Sequence, residues 1–219
     1  MLVALGWLIG TGAAAAQAPE ASTAAGHADF HAVIGWQNLR LERSDDLFGP
    51  DNNWAHAILY GGAGAGWYWT DHHKTQIDFG AGTPARHYRY RSQFANGIST
   101  SEISRVRVTR PSLAISQHYQ FFRNEWFHPH VGIGVDLARE TRSETFEPVY
   151  VYDSGARVSR LITPARTTGP QHRFVARPFV ETGVKAYMSQ RAFFSGDMRL
   201  MVHRGVDQAL FRLGFGVDW

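Results

Sequence analysis

The chain has 219 residues, with 22 Lys+Arg against 19 Asp+Glu and no cysteine. The missing cysteine excludes disulfides, zinc fingers, iron–sulfur clusters and cysteine nucleophiles, and a formal net charge of +3 is too small to argue for a nucleic-acid partner. No run of 18 apolar residues, roughly the length a membrane helix needs, is present, while 22 Gly and an aromatic content of 13% favour β structure with close backbone approaches.

The N-terminal stretch "MLVALGWLIGTGAAAAQAPE" is apolar from Leu2 to Ile9 and then turns to small residues. Ala14-Ala15-Ala16 fits the small-x-small cleavage rule, with Gln17 as the new N-terminus, so residues 1–16 resemble a secretory signal peptide. Cleavage after Ala18 fits the same rule but leaves Pro19 first. No Lys or Arg precedes the apolar run, which keeps open an upstream start or a buried N-terminal helix. Residues 17–28 read as a flexible lead, and residues 29–219 as the folded domain.

From Asp29 onward the dominant period is two, the signature of half-buried strands. "DFHAVIGWQ" sets Phe30, Ala32, Ile34 and Trp36 against His31, Val33, Gly35 and Gln37. "WAHAILYGGAGAGWYW" alternates less cleanly, with Leu59, Gly61, Ala63, Ala65, Trp67 and Trp69 on one face. Its "GGAGAG" has the glycine spacing of a phosphate loop, but no helix follows to supply an anion-binding N-terminus. "KTQIDFGAG" opposes Ile77 and Phe79 to Gln76 and Asp78. "VRVTRPSLAISQHY" begins with Val106 and Val108 and resumes with Leu113, Ile115 and Tyr119 after Arg110-Pro111, where the missing ladder donor predicts a bulge or weak edge. Three further strands follow: "HVGIGVDLARE", "FVARPFVETGVKAYM" and "FFSGDMRLMVH". The eighth, "LFRLGFGVDW", sets Phe211, Leu213, Phe215, Val217 and Trp219 against Arg212, Gly214, Gly216 and Asp218.

Short connectors at 70–74, around Arg123-Asn124-Glu125 and at 189–191 alternate with longer polar ones at 43–53, 91–104 and 143–172. An up-and-down barrel with turns on one rim and loops on the other produces that rhythm. Alternation alone does not say which face meets water. Three features favour a membrane barrel, with apolar residues outward. Trp54, Trp67, Trp69, Trp126, Phe127, Phe193 and Trp219 sit near strand ends, expected beside the short turns as an interfacial girdle. The polar face mixes glycine with charges of both signs, as a narrow lumen requires. Several strands exceed the roughly 9–11 residues a tilted strand needs to cross a bilayer. Arg177, Glu181 and Lys185 fall at four-residue steps on one face, with Asp197 and Arg199 on the next strand, and form an expected luminal charge network.

On these residues the chain resembles the small bacterial outer-membrane β-barrel family, the OmpA/OmpX/OmpW-like eight-stranded porin-like proteins. Gly214, Val217 and Trp219 match the family's C-terminal insertion signal: a glycine, two free positions, an apolar residue, one free position and a terminal aromatic. Leu213 stands where the family usually has a polar residue, and Trp replaces the commoner Phe. "HPHVGIGVDL" and "ARPFVETGVKAYMSQRAFFSGDMRL" resemble the family's second-half hairpins. The resemblance implies an all-β, up-and-down antiparallel transmembrane barrel of about eight strands in the bacterial outer membrane. It also implies partners in outer-membrane lipid, lipopolysaccharide and the barrel-assembly machinery.

Two constellations offer chemistry. His72, His73, His128 and His130 lie at two short turns and could converge on a metal, although histidine at a membrane interface is more often a wet amphipathic side chain. Ser116 and His118 share one strand face and could touch, but their parity aims them at the lumen and no third orienting acid is evident. The leading expectation is therefore a monomeric barrel with no catalytic, cofactor-binding or metal residues, in a structural, surface-interaction or limited-permeability role. The segment 143–172 is its expected partner-binding element, and Arg157, Arg160, Arg166 and Arg173 are candidates for lipopolysaccharide phosphates. The alternatives are a narrow channel for small or hydrophobic solutes, a lipid-modifying hydrolase, and a soluble lipocalin-like carrier.

Overall fold

The computed structural model describes residues 27–40, 54–95, 98–121, 126–153, 158–202 and 205–219. The expected signal peptide, most of the lead, the connector 43–53, the turn at Arg123-Asn124-Glu125 up to Glu125, Arg157 and His203 lie outside the described residues. The first strands are β1 (Ala28–Arg40), β2 (Trp54–Tyr68), β3 (His73–Gly82), β4 (Ala85–Ala95), β5 (Ile98–Thr109) and β6 (Pro111–Gln120). They are followed by β7 (Phe127–Phe146), β8 (Val149–Asp153), β9 (Val158–Thr163), β10 (Arg166–Tyr187), β11 (Ala192–Val202) and β12 (Val206–Asp218).

Eight of these strands close a ring in the order β1-β2-β3-β6-β7-β10-β11-β12, sealed by the β12–β1 pairing. Every pairing is antiparallel. Closure is what lipid demands, because an open edge would leave backbone donors and acceptors without water. The seal runs to the last residue: the Trp219 N–H donates to the Ala28 carbonyl at 2.8 Å, and the Ala28 N–H returns the bond at 3.2 Å.

The faces are inverted relative to a water-soluble barrel. Ile34 and Ile133, both mid-strand, are 68% and 66% exposed, while Asp29, Asp78, Asp136, Glu181, Arg199 and Arg212 are buried inside. Outward apolar residues meet across strands: Phe30, Ala32, Ile34 and Trp36 face Val217, Phe215, Leu213 and Phe211 in register. The Trp36 and Phe211 rings stack at 5.6 Å. Trp67, Trp69, Trp126, Phe127 and Trp219 are exposed at the short-turn rim, where the ring is in lipid and its edge stays wet. Two members of the expected girdle are elsewhere. Phe193 has the inward parity of Ser195 and Asp197 and is buried, and Trp54 starts β2 at the opposite rim, paired with Arg40.

The expected long loops at 91–104 and 143–172 are largely strand. β4 and β5 form a hairpin that prolongs β3 and β6, and β5 adds itself to β7 from Ser104↔Phe146 to Thr109↔Thr141. β7 and β10 stay paired out to Phe146↔Arg166, and β8 pairs with β9 as a separate hairpin between them. In β5 the period of two persists with its apolar side turned inward, where Val106 and Val108 are buried with Leu39, Ala55, Ile58 and Ala85 while Arg105 and Arg107 face out, so the outward apolar row ends although the ladder continues. The expected irregularity at Arg110-Pro111 is the joint between β5 and β6. The imperfect alternation of β2 reflects a bulge. Ala57 takes a φ of 54° and donates its N–H to the Asn38 side-chain carbonyl at 2.9 Å, shifting register between Gln37 and Leu39.

An ionised residue on the lipid face near mid-bilayer costs about 2–4 kcal/mol. Ile34→Lys is expected to lower stability by that amount in urea unfolding from phospholipid vesicles. Leu161→Lys on β9, an exposed aliphatic beyond the lipid, is expected to change it by less than about 1 kcal/mol.

Candidate functional site

The lumen holds three layers of ion pairs, each built from side chains of inward parity. Nearest the short-turn rim, Asp29 Oδ2 accepts from Lys74 Nζ at 3.1 Å, Lys185 Nζ at 3.1 Å and the Tyr68 hydroxyl at 2.8 Å. Lys185 Nζ also donates to Asp218 Oδ1 at 2.5 Å and lies 3.8 Å from the Phe193 ring centre. Tyr187 donates its hydroxyl to Asp218.

The middle layer is the densest. Arg199 donates from Nε to Glu181 Oε2 at 2.7 Å and from Nη2 to Asp78 Oδ2 at 2.6 Å. Arg212 donates from Nε to Asp197 Oδ1 at 2.6 Å, from Nη1 to Asp78 Oδ2 at 3.1 Å and from Nη2 to Glu181 Oε1 at 3.1 Å. His31 Nε2 lies 2.8 Å from Asp78 Oδ1. Two planar forks thus tie together carboxylates from β3, β10 and β11, and a fork satisfies several acceptors at once where an ammonium cannot. Toward the far rim, Arg110 bonds Asp136 and Gln208, Gln208 donates to Gln37 at 2.9 Å, and Glu140 binds Arg177 at 3.0 Å and Arg173 at 2.5 Å.

The five residues expected as one luminal network are divided among the layers. Glu181, Asp197 and Arg199 share the middle one, Lys185 belongs with Asp29 and Asp218, and Arg177 with Glu140. A four-residue step along a strand spans about 14 Å, so Arg177, Glu181 and Lys185 find partners across the barrel rather than in each other. Arg212 and Asp78 hold the middle layer together, and neither stood in that expected set. Their inward parity, shared with Gly214 and Gln76, was the available signal.

Glycines make room for these pairs. A Cβ on Gly64 would lie 2.2 Å from Asp78 Oδ1, and one on Gly66 would lie 2.6 Å from Asp29 Oδ1. Of the insertion-signal residues, Gly214 is inward, where a Cβ would meet Ser195 Oγ at 2.5 Å, while Val217 and Trp219 face outward.

Ser116 and His118 do point into the lumen and touch, with Oγ 2.7 Å from Nε2. Glu181 Oε1 lies 3.8 Å from that same Nε2, whereas an orienting acid belongs on Nδ1, which has no partner among the described residues. The contact is therefore not a hydrolytic triad. The four turn histidines do not converge. His72 and His73 pack on Tyr119, with ring centres 5.6 and 5.2 Å away. His128 packs on Tyr187 at 5.0 Å, and His130 turns inward to stack on His118 at 5.1 Å. His118, His130 and Glu181 bring one ligand atom each within 4.8 Å of the others. Arg199 and Arg212 already hold both oxygens of Glu181, and their charges oppose a dication. The set is accordingly read as part of the ion-pair plug.

No family model and no curated protein matches the chain. Among solved structures, Neisserial surface protein A (NspA) superposes with a TM-score of 0.52 at 12% identity, covering 88% of this chain and 97% of that one. The N-terminal β-barrel domain of Pseudomonas aeruginosa OprF gives 0.45 at 12% identity, covering 89% and 98%. OprG from Pseudomonas aeruginosa gives 0.46 at 12%, covering 89% and 97%.

Gly64→Val is expected to destabilise the barrel by about 1–3 kcal/mol, whereas Gly61→Ala, with nothing within 4 Å of its Cβ, leaves it nearly unchanged in the same unfolding assay. Glu181→Gln breaks a buried array and is expected to cost about 3–5 kcal/mol. Glu102→Gln removes an exposed pair with Arg166 and is expected to cost less than about 1 kcal/mol.

The inverted faces, the closed ring and the likeness to NspA agree: the chain has the fold of the small eight-stranded β-barrels of the bacterial outer membrane.

Proposed function

We propose that this chain is a non-catalytic outer-membrane barrel whose lumen is plugged and whose work is done at the cell surface. The carrying observation is the middle layer, where Asp78, Glu181, Asp197, Arg199 and Arg212 cross-link β3, β10, β11 and β12 and occupy the bore. A bore filled in this way supports a wall-like role over a wide channel. The rim with the short turns and the Ala28–Trp219 seal is taken as periplasmic, as in barrels with short periplasmic turns and longer outer loops. The projecting hairpins, β4–β5 and β8–β9, then face outward and offer the surface for partners.

In the same reading Gly214, Val217 and Trp219 serve as the signal taken up by the barrel-assembly machinery. The support is their place on β12, which seals the ring against β1. The lipocalin-like alternative fits poorly, since it requires the apolar rows to point inward.

In planar bilayers the purified barrel is expected to show no steady open-channel conductance, and Arg199→Ser combined with Arg212→Ser is expected to raise it. Steady conductance of the unaltered protein would replace this reading with the channel. Phospholipid hydrolysis abolished by Ser116→Ala would replace it with the hydrolase.

A further inference from the structure

The outer wall above the apolar belt carries arginines of two kinds. Some are neutralised: Arg105, facing out, lies 2.7 Å from Glu147, while Arg166 and Arg173 have inward parity and hold Glu102 and Glu140. Arg86 and Arg107 are not. They are directly opposite each other on β4 and β5, both exposed and facing out, and neither makes an ion pair among the described residues. Opposed residues on antiparallel strands have Cα atoms about 4.5–5.5 Å apart, and like charges so placed destabilise the sheet unless an anion sits between them.

A third arginine lies below this pair. Arg139 is outward on β7, four residues from Ser143, the β7 partner of Arg107, which is about 14 Å along the strand. Between the two levels Thr109 and Thr141 face each other with hydroxyl side chains. Arg139 also lines an open groove of about 560 Å³ walled by Phe79, Leu113, Leu137 and Phe174, at the outer edge of the lipid-facing surface. Phe174 is 85% exposed there.

We infer that this wall binds the phosphorylated, acylated sugar end of lipopolysaccharide. Arg86 and Arg107 share one phosphate, Arg139 meets a second, the threonines face the sugar and an acyl chain lies in the groove. Two cationic points separated by hydroxyls match a sugar with two phosphates better than a glycerophospholipid with one. The inference rests on the outer-membrane reading above and gives it a ligand. It also moves the phosphate contacts away from Arg166 and Arg173, which already hold carboxylates.

The test uses the folded barrel in neutral detergent, mixed with diphosphoryl lipid A, its dephosphorylated form or phosphatidylglycerol, and bound lipid counted by native mass spectrometry. The unaltered barrel and Arg191→Ala, at the opposite rim, are expected to retain lipid A. The double variant Arg86→Ala/Arg107→Ala is expected to bind it at least about tenfold more weakly, the scale of one lost charge-assisted hydrogen bond. Arg139→Ala is expected to weaken it as well. Dephosphorylated lipid A and phosphatidylglycerol are expected to bind weakly to every form. Equal retention of lipid A by all forms overturns the inference, as does phosphatidylglycerol binding as well as lipid A. Each sample is first run unheated and boiled on a detergent gel. A missing mobility shift in the unaltered protein indicts the membrane-barrel reading instead, and a missing shift in the alanine double variant alone brings Arg86→Gln/Arg107→Gln into its place.

Discussion

Closure of the β12–β1 seam is the constraint from which the rest of the structure follows. A sheet in hydrocarbon cannot leave an edge unpaired, so the last strand must find the first. Eight strands closing on themselves leave an interior just wide enough for side chains to fill. The outer face then has no choice but to be apolar, as in the Phe30–Trp36 row against Phe211–Val217. The inner face is left with the charges of the spanning segments, Asp29, Asp78, Asp136, Glu181, Lys185, Arg199 and Arg212 among them.

Those inward charges are tolerable only as sets. A single buried carboxylate or guanidinium loses several kcal/mol of hydration, and one partner rarely restores it. The barrel answers with arrays in which the central carboxylates touch more than one cation: Glu181 holds Arg199 and Arg212, Asp78 holds both as well, and Asp29 holds Lys74 and Lys185. Such arrays need room near the wall, and glycine on the inward parity provides it. Gly64, beside Asp78 and His31, shows why one side chain there would exclude another. The glycine-rich run of β2 therefore reflects the volume of its neighbours across the bore and has no connection with phosphate binding.

How far the sequence could be read depended on where each residue meets lipid. Within the bilayer the period of two assigned faces correctly from Phe30 through Val217, since one solvent is apolar and the other is a charged lumen. Outside it the signal failed: residues 91–104 and 143–172 read as loops because the outward apolar row ends there, and the inward-facing Val106 and Val108 of β5 reverse the pattern seen in the bilayer. Parity also placed Ser116 and His118 in the lumen, yet it could not pair charges. Which carboxylate meets which guanidinium depends on stagger between strands, and stagger is set by closure rather than by spacing along any one strand. Phe193 illustrates a second limit: closeness to a turn does not separate a girdle aromatic from a luminal one, and only its parity with Ser195 and Asp197 decides.

The same stagger explains why the outer wall carries its own chemistry. Prolonging β3 and β6 as β4 and β5 beyond the joint at Pro111 lifts a four-stranded wall past the lipid boundary. Residues of outward parity on that wall lie beside head groups rather than acyl chains. Arginine is suited to that level because its fork matches phosphate oxygens and its stem can lie on apolar surface. Where carboxylates are also within reach, as at Glu147 beside Arg105, the charge is neutralised within the protein. Arg86 and Arg107 lack that option and face each other, so the wall's free energy is lowest when an anion from the surroundings completes it. The joint that makes the wall also opens the groove below it, because β6 begins at Pro111, beside Phe79 and Leu137. A head group and its chain are thereby offered adjoining surfaces by one feature of the backbone.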